Sequence, residues 1–144
     1  MEIKNRQAYF EYFIDDKYVA GIVLTGTEVK SLREGKANFN DSYCIFHKGE
    51  LWIRSFHISV YTHGTVNNHD PIRERKLLLN KRELKKLQAK IKEKGYTIIP
   101  LRLFFNEKNL VKLEVGLGKG KKVHDKRETI KQRDTEREIK RYVK

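Results

Sequence analysis

The apolar residues of this chain run out before the chain does. Residues 119–144 carry eleven basic and five acidic side chains, and only five large apolar ones: Val123, Ile130, Ile139, Tyr142 and Val143. Such a segment buries too little surface to offset the entropy of ordering it. The core must therefore come from residues 1–118, whose net charge is +7 against +6 for the last 26. The sequence reads as a folded body over 1–118 and a basic tail over 119–144 that is disordered when free.

Within the body the dominant pattern is strand. AYFEYFI (8–14) is aromatic and partly alternating, and YVAGIVLT (18–25) is β-branched, with Asp15-Asp16 as the expected turn between them. SYCIFH (42–47) and ELWIRSFHIS (50–59) flank Lys48-Gly49, a tight hairpin signal. YTIIPLRLFF (96–105) and LVKLEVGL (110–117) form a second hairpin around NEKN, and Pro100 marks an edge or a bulge. Two helices are expected. One runs from Thr27 to Glu34 and stops at Gly35; the other runs from Asn80 to Lys94. Asn80 and Glu83 have capping-box spacing, and Leu84, Leu87 and Ile91 form a narrow apolar stripe. Six short strands with two or three helices predict a mainly β protein, an oligonucleotide-binding-like closed antiparallel barrel with flanking helices. Most of the aromatic residues Tyr9, Phe10, Tyr12, Phe13, Phe46, Trp52, Phe104 and Phe105 are expected to fill that barrel.

A formal net charge of +13 on 144 residues points to a polyanionic partner, nucleic acid above all. No apolar run approaches the length of a membrane span, and the first residues, MEIKNRQAYFEYF, lack a signal-peptide pattern, so a cytoplasmic protein is expected. A single cysteine, Cys44, excludes an internal disulfide framework and a CxxC zinc site.

Enzyme chemistry finds little support. His63, His69 and Asp70 could gather around a metal, but Gly64, Asn67 and Asn68 make HGTVNNHD read as a structured loop, and no HExxH or other spaced ligand set supports a site. Cys44, between Tyr43 and Ile45, reads as a buried, inert thiol. Gly116, Gly118 and Gly120 lack the Walker spacing and read as a flexible cationic exit from the last strand. No catalytic residue, metal or cofactor is assigned. RNA is better supported: Arg73, Arg75 and Lys76 precede Leu77-Leu78-Leu79, and Lys81, Arg82, Lys85 and Lys86 follow, a cationic margin beside a helix start. In the tail, Asp125 and Glu128 form a possible capping box before a stretch from Lys126 to Tyr142 free of glycine and proline. Such a helix is marginal alone and is expected to fold on an anionic partner.

Several segments carry a specific likeness: YFI at 12–14, AGIVLTGTEVKSLREGKAN at 20–38, DSY at 41–43, NHDP at 68–71, RKLLLNKRE at 75–83 and GKGKKVHDKRETIKQRD at 118–134. In these the chain resembles the SsrA-binding protein family, SmpB, of bacterial trans-translation. The resemblance implies an RNA-binding barrel that holds the tRNA-like domain of transfer-messenger RNA and delivers it to stalled ribosomes. It also implies a tail that enters the decoding region and the empty messenger channel as a helix, and no reaction catalysed by the protein itself.

By motif, Leu78 and Asn80 match family positions linked to transfer-messenger RNA. Lys36, Arg73, Arg75 and Lys76 join that RNA-binding set, as does Val19, where the family usually has a glutamate. Valine cannot accept the hydrogen bonds an acid there would take. The tail set that resembles the family's ribosome-binding segment is Gly120, Lys121, Lys122, His124, Asp125, Lys126 and Arg127, extended by Lys131 and Arg133. The expected partners are transfer-messenger RNA and the ribosome, with no membrane and a monomeric protein. The alternative is a general single-strand RNA binder or chaperone, which would want exposed aromatics on a strand surface.

Overall fold

The computed structural model describes residues 2–63 and 68–121. The order of elements is β1 (Glu2–Lys4), α1 (Arg6–Glu11), β2 (Tyr12–Ile22), α2 (Gly26–Arg33), β3 (Ala37–Asn38), β4 (Tyr43–His47), β5 (Glu50–Arg54), β6 (His57–Ile58), β7 (Arg75–Leu78), α3 (Lys81–Ile91), β8 (Tyr96–Phe105) and β9 (Val111–Gly120). Seven strands form one antiparallel sheet in the order β1-β8-β9-β2-β7-β5-β4, and β3 pairs with β6 in a separate two-stranded sheet. None of the described helices is long and apolar enough to cross a membrane.

The expected closed barrel is not formed. The sheet ends at β1 and β4, and β4 approaches β8 without pairing with it. The reason lies on the free edge of β8. Its 102–104 stretch is paired to β1, and the carbonyls of Pro100 and Leu101 accept from the side chain and backbone N–H of Asn5. Pro100 itself has no N–H to offer. The register of β8 against β9 slips between Pro100 and Arg102, so the proline sits at a bulge, where no ladder N–H is required of it.

Both hairpins form where their turn residues stand. Lys48 (φ 53°) and Gly49 (φ 77°) are both left-handed, the geometry of a two-residue turn whose twist matches its strands. In the second hairpin, Asn106 Oδ1 accepts from the backbone N–H of Lys108 and of Leu110, each at 2.9 Å. At the start of the chain the expectation fails. Residues 6–11, which take in the first four of the aromatic segment, are helical, and Asp15-Asp16 is no turn but a bulge inside one continuous eleven-residue strand. Aromatic content favours strands only when the side chains pack on a sheet. Here Ala8 alone is buried, against Ile99 and Leu101, which leaves Tyr9 and Phe10 outside.

The main core lies on one face of the sheet, built on Ala20, Leu51, Ile53, Phe56, Leu77, Leu103 and Leu113, with Leu32 of α2 and Leu87 of α3 packed into it. Leu87 is the fully buried member of the expected stripe, with Leu84 and Ile91 beside it. The neighbours Ile98 and Ile99 belong to different clusters, so α1 rests on the opposite face of the sheet. The aromatic expectation is corrected accordingly. Phe39 and Phe56, stacked at 4.6 Å, are buried, whereas Phe10 and Phe13 are 74% and 61% exposed.

Gly118 is not an exit loop. It lies within β9, where a Cβ would stand 2.3 Å from the carbonyl oxygen of Phe13, so only glycine lets the two backbones close. The strand continues to Gly120, two residues past the expected boundary of the body.

Candidate RNA-binding surface

The face of the sheet that α1 only partly covers carries two of the sequence candidates, Val19 and Leu78. Cross-strand partners share a face, so register places them directly. One row runs Lys4–Arg102–Glu114–Val19 across β1, β8, β9 and β2. The next runs Glu2–Phe104–Lys112–Gly21–Leu78 and reaches β7. Val19 and Leu78, far apart in sequence, are thus outward residues of adjacent strands, each about half exposed. Leu78 lies against Gly21, whose missing side chain leaves it room.

Two residues beyond Leu78, Asn80 caps α3. The Glu83 N–H donates to Asn80 Oδ1 at 2.8 Å, and the Asn80 N–H donates to Glu83 Oε1 at 3.3 Å, which completes the expected capping box. The Asn80 amide nitrogen makes no hydrogen bond among the described residues. Lys81, Arg82, Lys85 and Lys86 follow as exposed side chains.

The cations just before Leu78 serve a different purpose, and Arg75 is a correction. Its side chain is wholly buried: Nε donates to Glu28 Oε2 at 2.6 Å and Nη1 to the Phe56 carbonyl at 2.6 Å. Strand alternation sends Arg75 and Leu77 inward while Lys76 and Leu78 point outward, so Arg75 cannot meet RNA in this fold. Arg73 donates from Nη2 to Glu28 Oε1 at 2.7 Å and remains about one-third exposed. Lys76 points outward and pairs with Glu50 at 2.6 Å. Lys36 belongs to the loop after α2, paired with Glu34 and accepting from the Ser59 N–H through its carbonyl.

Glu28 is the residue sequence reasoning missed. It closes a capping box with Thr25 at the start of α2, a Thr-x-x-Glu spacing visible in the sequence. Burial pushes its carboxyl up, but hydrogen bonds from Arg73, the Thr25 backbone and Arg75 override this and hold it below the usual carboxylate range. Burial pulls Arg75 down, the Glu28 charge opposes that, and the guanidinium stays cationic.

Residues 64–67 of the histidine segment lie outside the described residues, but His69 at its end is tied into the protein. His69 is buried, with Nε2 donating to the Ile58 carbonyl at 2.9 Å and Nδ1 2.9 Å from the Thr27 hydroxyl, so both ring nitrogens are engaged. His63 packs edge-on against Tyr61. Burial pushes the Cys44 thiol far up, which keeps it protonated and unreactive.

At the start of the tail, Gly120 pairs with Tyr12. The Lys121 N–H donates to the Glu11 carbonyl at 2.7 Å, and Nζ donates to the Tyr9 carbonyl at 2.8 Å. The other tail candidates, Lys122, His124, Asp125, Lys126, Arg127, Lys131 and Arg133, and the expected helix over 126–142 lie outside the described residues.

Residues 2–144 match the family described as SmpB protein. The chain belongs to the SmpB family. An SsrA-binding protein of Phocaeicola vulgatus is 56% identical over 144 residues, covering all of this chain and 96% of that one. An SsrA-binding protein of Fervidobacterium nodosum is 52% identical over 140 residues, covering 97% and 94%. A solved structure described as "tmRNA-SmpB: a journey to the center of the bacterial ribosome" superposes with a TM-score of 0.73 at 45% identity, covering 93% of this chain and 94% of that one. The SmpB family resemblance read from short segments therefore extends over the whole chain.

Proposed function

We propose that this protein binds the tRNA-like domain of transfer-messenger RNA and delivers it to stalled ribosomes for trans-translation. The observation that supports this best is the juxtaposition of Val19, Gly21 and Leu78 on one outward surface, with the exposed Asn80 two residues beyond Leu78, in a chain of the SmpB family. That surface offers an apolar contact at Leu78, a directional amide at Asn80 and cations at Lys81, Arg82 and Lys112. Phosphate contacts position an RNA, and shape with a few directed contacts selects it. The basic residues 119–144 act on the ribosome, in the decoding region and messenger channel. The protein works in the cytoplasm by binding and catalyses no reaction.

The test is an affinity series with full-length protein against a tRNA-like domain, a simple hairpin and a single strand at several salt concentrations. Preference for the tRNA-like domain is expected, with affinity falling steeply as salt rises. Equal affinity for the single strand would favour a general RNA chaperone instead.

A further inference from the structure

A cleft of about 300 Å³ opens on the outer face of the sheet, where α1 ends its cover and the row Lys4–Arg102–Glu114–Val19 begins. Its lining is chemically mixed. Lys4, Arg6 and Lys17 form no ion pair among the described residues. Tyr9 lies beside them, 46% exposed, with Lys17 Nζ 5.5 Å from its ring centroid. Glu114 presents a carboxylate whose Oε1 accepts from Arg102 Nε at 3.1 Å. Arg102 is itself fixed by Glu2 at 2.9 Å and by the Phe104 ring, 4.1 Å from its guanidinium carbon to the centroid. The acid is therefore oriented before any ligand arrives, and its Oε2 makes no hydrogen bond among the described residues.

We propose that this cleft receives one unpaired nucleotide of the bound RNA, its base stacked on Tyr9 and bonded to Glu114, its phosphate held by Lys4, Arg6 and Lys17. This rests on the RNA-binding reading above and adds a second contact region to the Leu78 surface. Each part matches one part of a nucleotide. An exposed tyrosine ring is a stacking platform, and a flexible lysine now lying over it can swing to a phosphate. A carboxylate repels phosphate, so an oriented one inside a cationic cleft is suited to N–H or 2′-hydroxyl donors of a base or ribose. The volume suits a single nucleotide, not a duplex. Register adds a further point: Glu114 stands directly opposite Val19, so the face keeps an acid although position 19 carries none.

Two measurements on the full-length protein decide the matter. In the first, Tyr9→Ala, Glu114→Ala and Leu78→Ala are titrated against the tRNA-like domain, with thermal unfolding followed in parallel. Tyr9→Ala is expected to weaken binding about tenfold, within the range for a lost stacking contact. Glu114→Ala is expected to weaken it as well, although it removes a negative charge that a purely electrostatic surface would gain by losing. In the second, wild-type protein is titrated with AMP, CMP, GMP and UMP and followed by amide chemical shifts. At least one nucleotide should perturb residues around Tyr9, Lys17 and Glu114. No perturbation there by any of the four, or unchanged or tighter RNA binding by both cleft variants while Leu78→Ala weakens it, overturns the cleft alone. Unchanged affinity in all three variants overturns the RNA face itself.

Discussion

Arg75 Nε lies 2.6 Å from Glu28 Oε2, and neither side chain is exposed to solvent. Glu28 thereby ties the first turn of α2 to the inward side of β7, while Arg73 grips its other oxygen from the surface. Removing one partner of a buried pair leaves the other uncompensated, which costs about 3–5 kcal/mol. Glu28→Gln is therefore expected to lower unfolding free energy by about 3 kcal/mol near neutral pH, measured by urea titration. Because the folded carboxyl is held below its unfolded value, its contribution is present above the unfolded range and is lost as pH falls through the folded one. The wild type should lose stability steeply in the acid range, and the glutamine variant should lose less. Parallel acid limbs for the two proteins would contradict this assignment.

The inward Arg75 and the outward Lys112 should separate stability from RNA affinity. Arg75→Ala should destabilise the fold and leave the salt dependence of RNA binding unchanged, measured where both proteins are folded. Lys112→Ala should leave stability nearly intact and reduce the slope of log affinity against log salt by about 0.7–0.9. A reduced slope in the arginine variant would place Arg75 at the RNA after all.

Asn80 has two roles that one substitution exposes together. Asn80→Ala should cost about 1 kcal/mol of stability through the lost cap, and should also weaken RNA binding more than Lys90→Ala does. Lys90 is a surface cation already near Glu93 and the Tyr96 ring. Thermal unfolding and RNA titration of both variants give the comparison; equal binding at equal stability would remove Asn80 from the RNA surface.

Val19→Glu tests what the sheet adds to the sequence. An acid at that position offers an acceptor to the RNA, yet it would stand directly across from Glu114. Like charges directly opposite each other are destabilising. The substitution should therefore cost stability in the wild-type background and less in a Glu114→Ala background, where Arg102 has already lost that partner. Circular-dichroism melts of the four proteins close the cycle, and an equal cost in both backgrounds would mean the carboxylates do not meet.

Truncation after Lys121 should separate RNA binding from ribosome rescue. Lys121 is still tied to Glu11 and Tyr9, so β9 stays complete and the core is untouched. The truncated protein should bind the tRNA-like domain and fail in a stalled-ribosome tagging assay. Full tagging would refute the assignment of residues 122–144 to the ribosome.

The sequence by itself determined the local structure: the Lys48-Gly49 hairpin and the Asn80–Glu83 capping box are each set by chemistry within a few residues. Leu78 and Asn80 were singled out because an ordered motif carries them, and the fold leaves both exposed. Tertiary structure alone decided the rest, because burial and pairing depend on partners distant in the chain. Whether residues 6–11 are strand or helix was settled by the docking of Ala8 against Ile99 and Leu101. The barrel stays open because Asn5 and β1 occupy the β8 edge, and Arg75 leaves the RNA surface because alternation along β7 points it at Glu28. Glu114 faces Val19 through a register that neither strand's sequence contains.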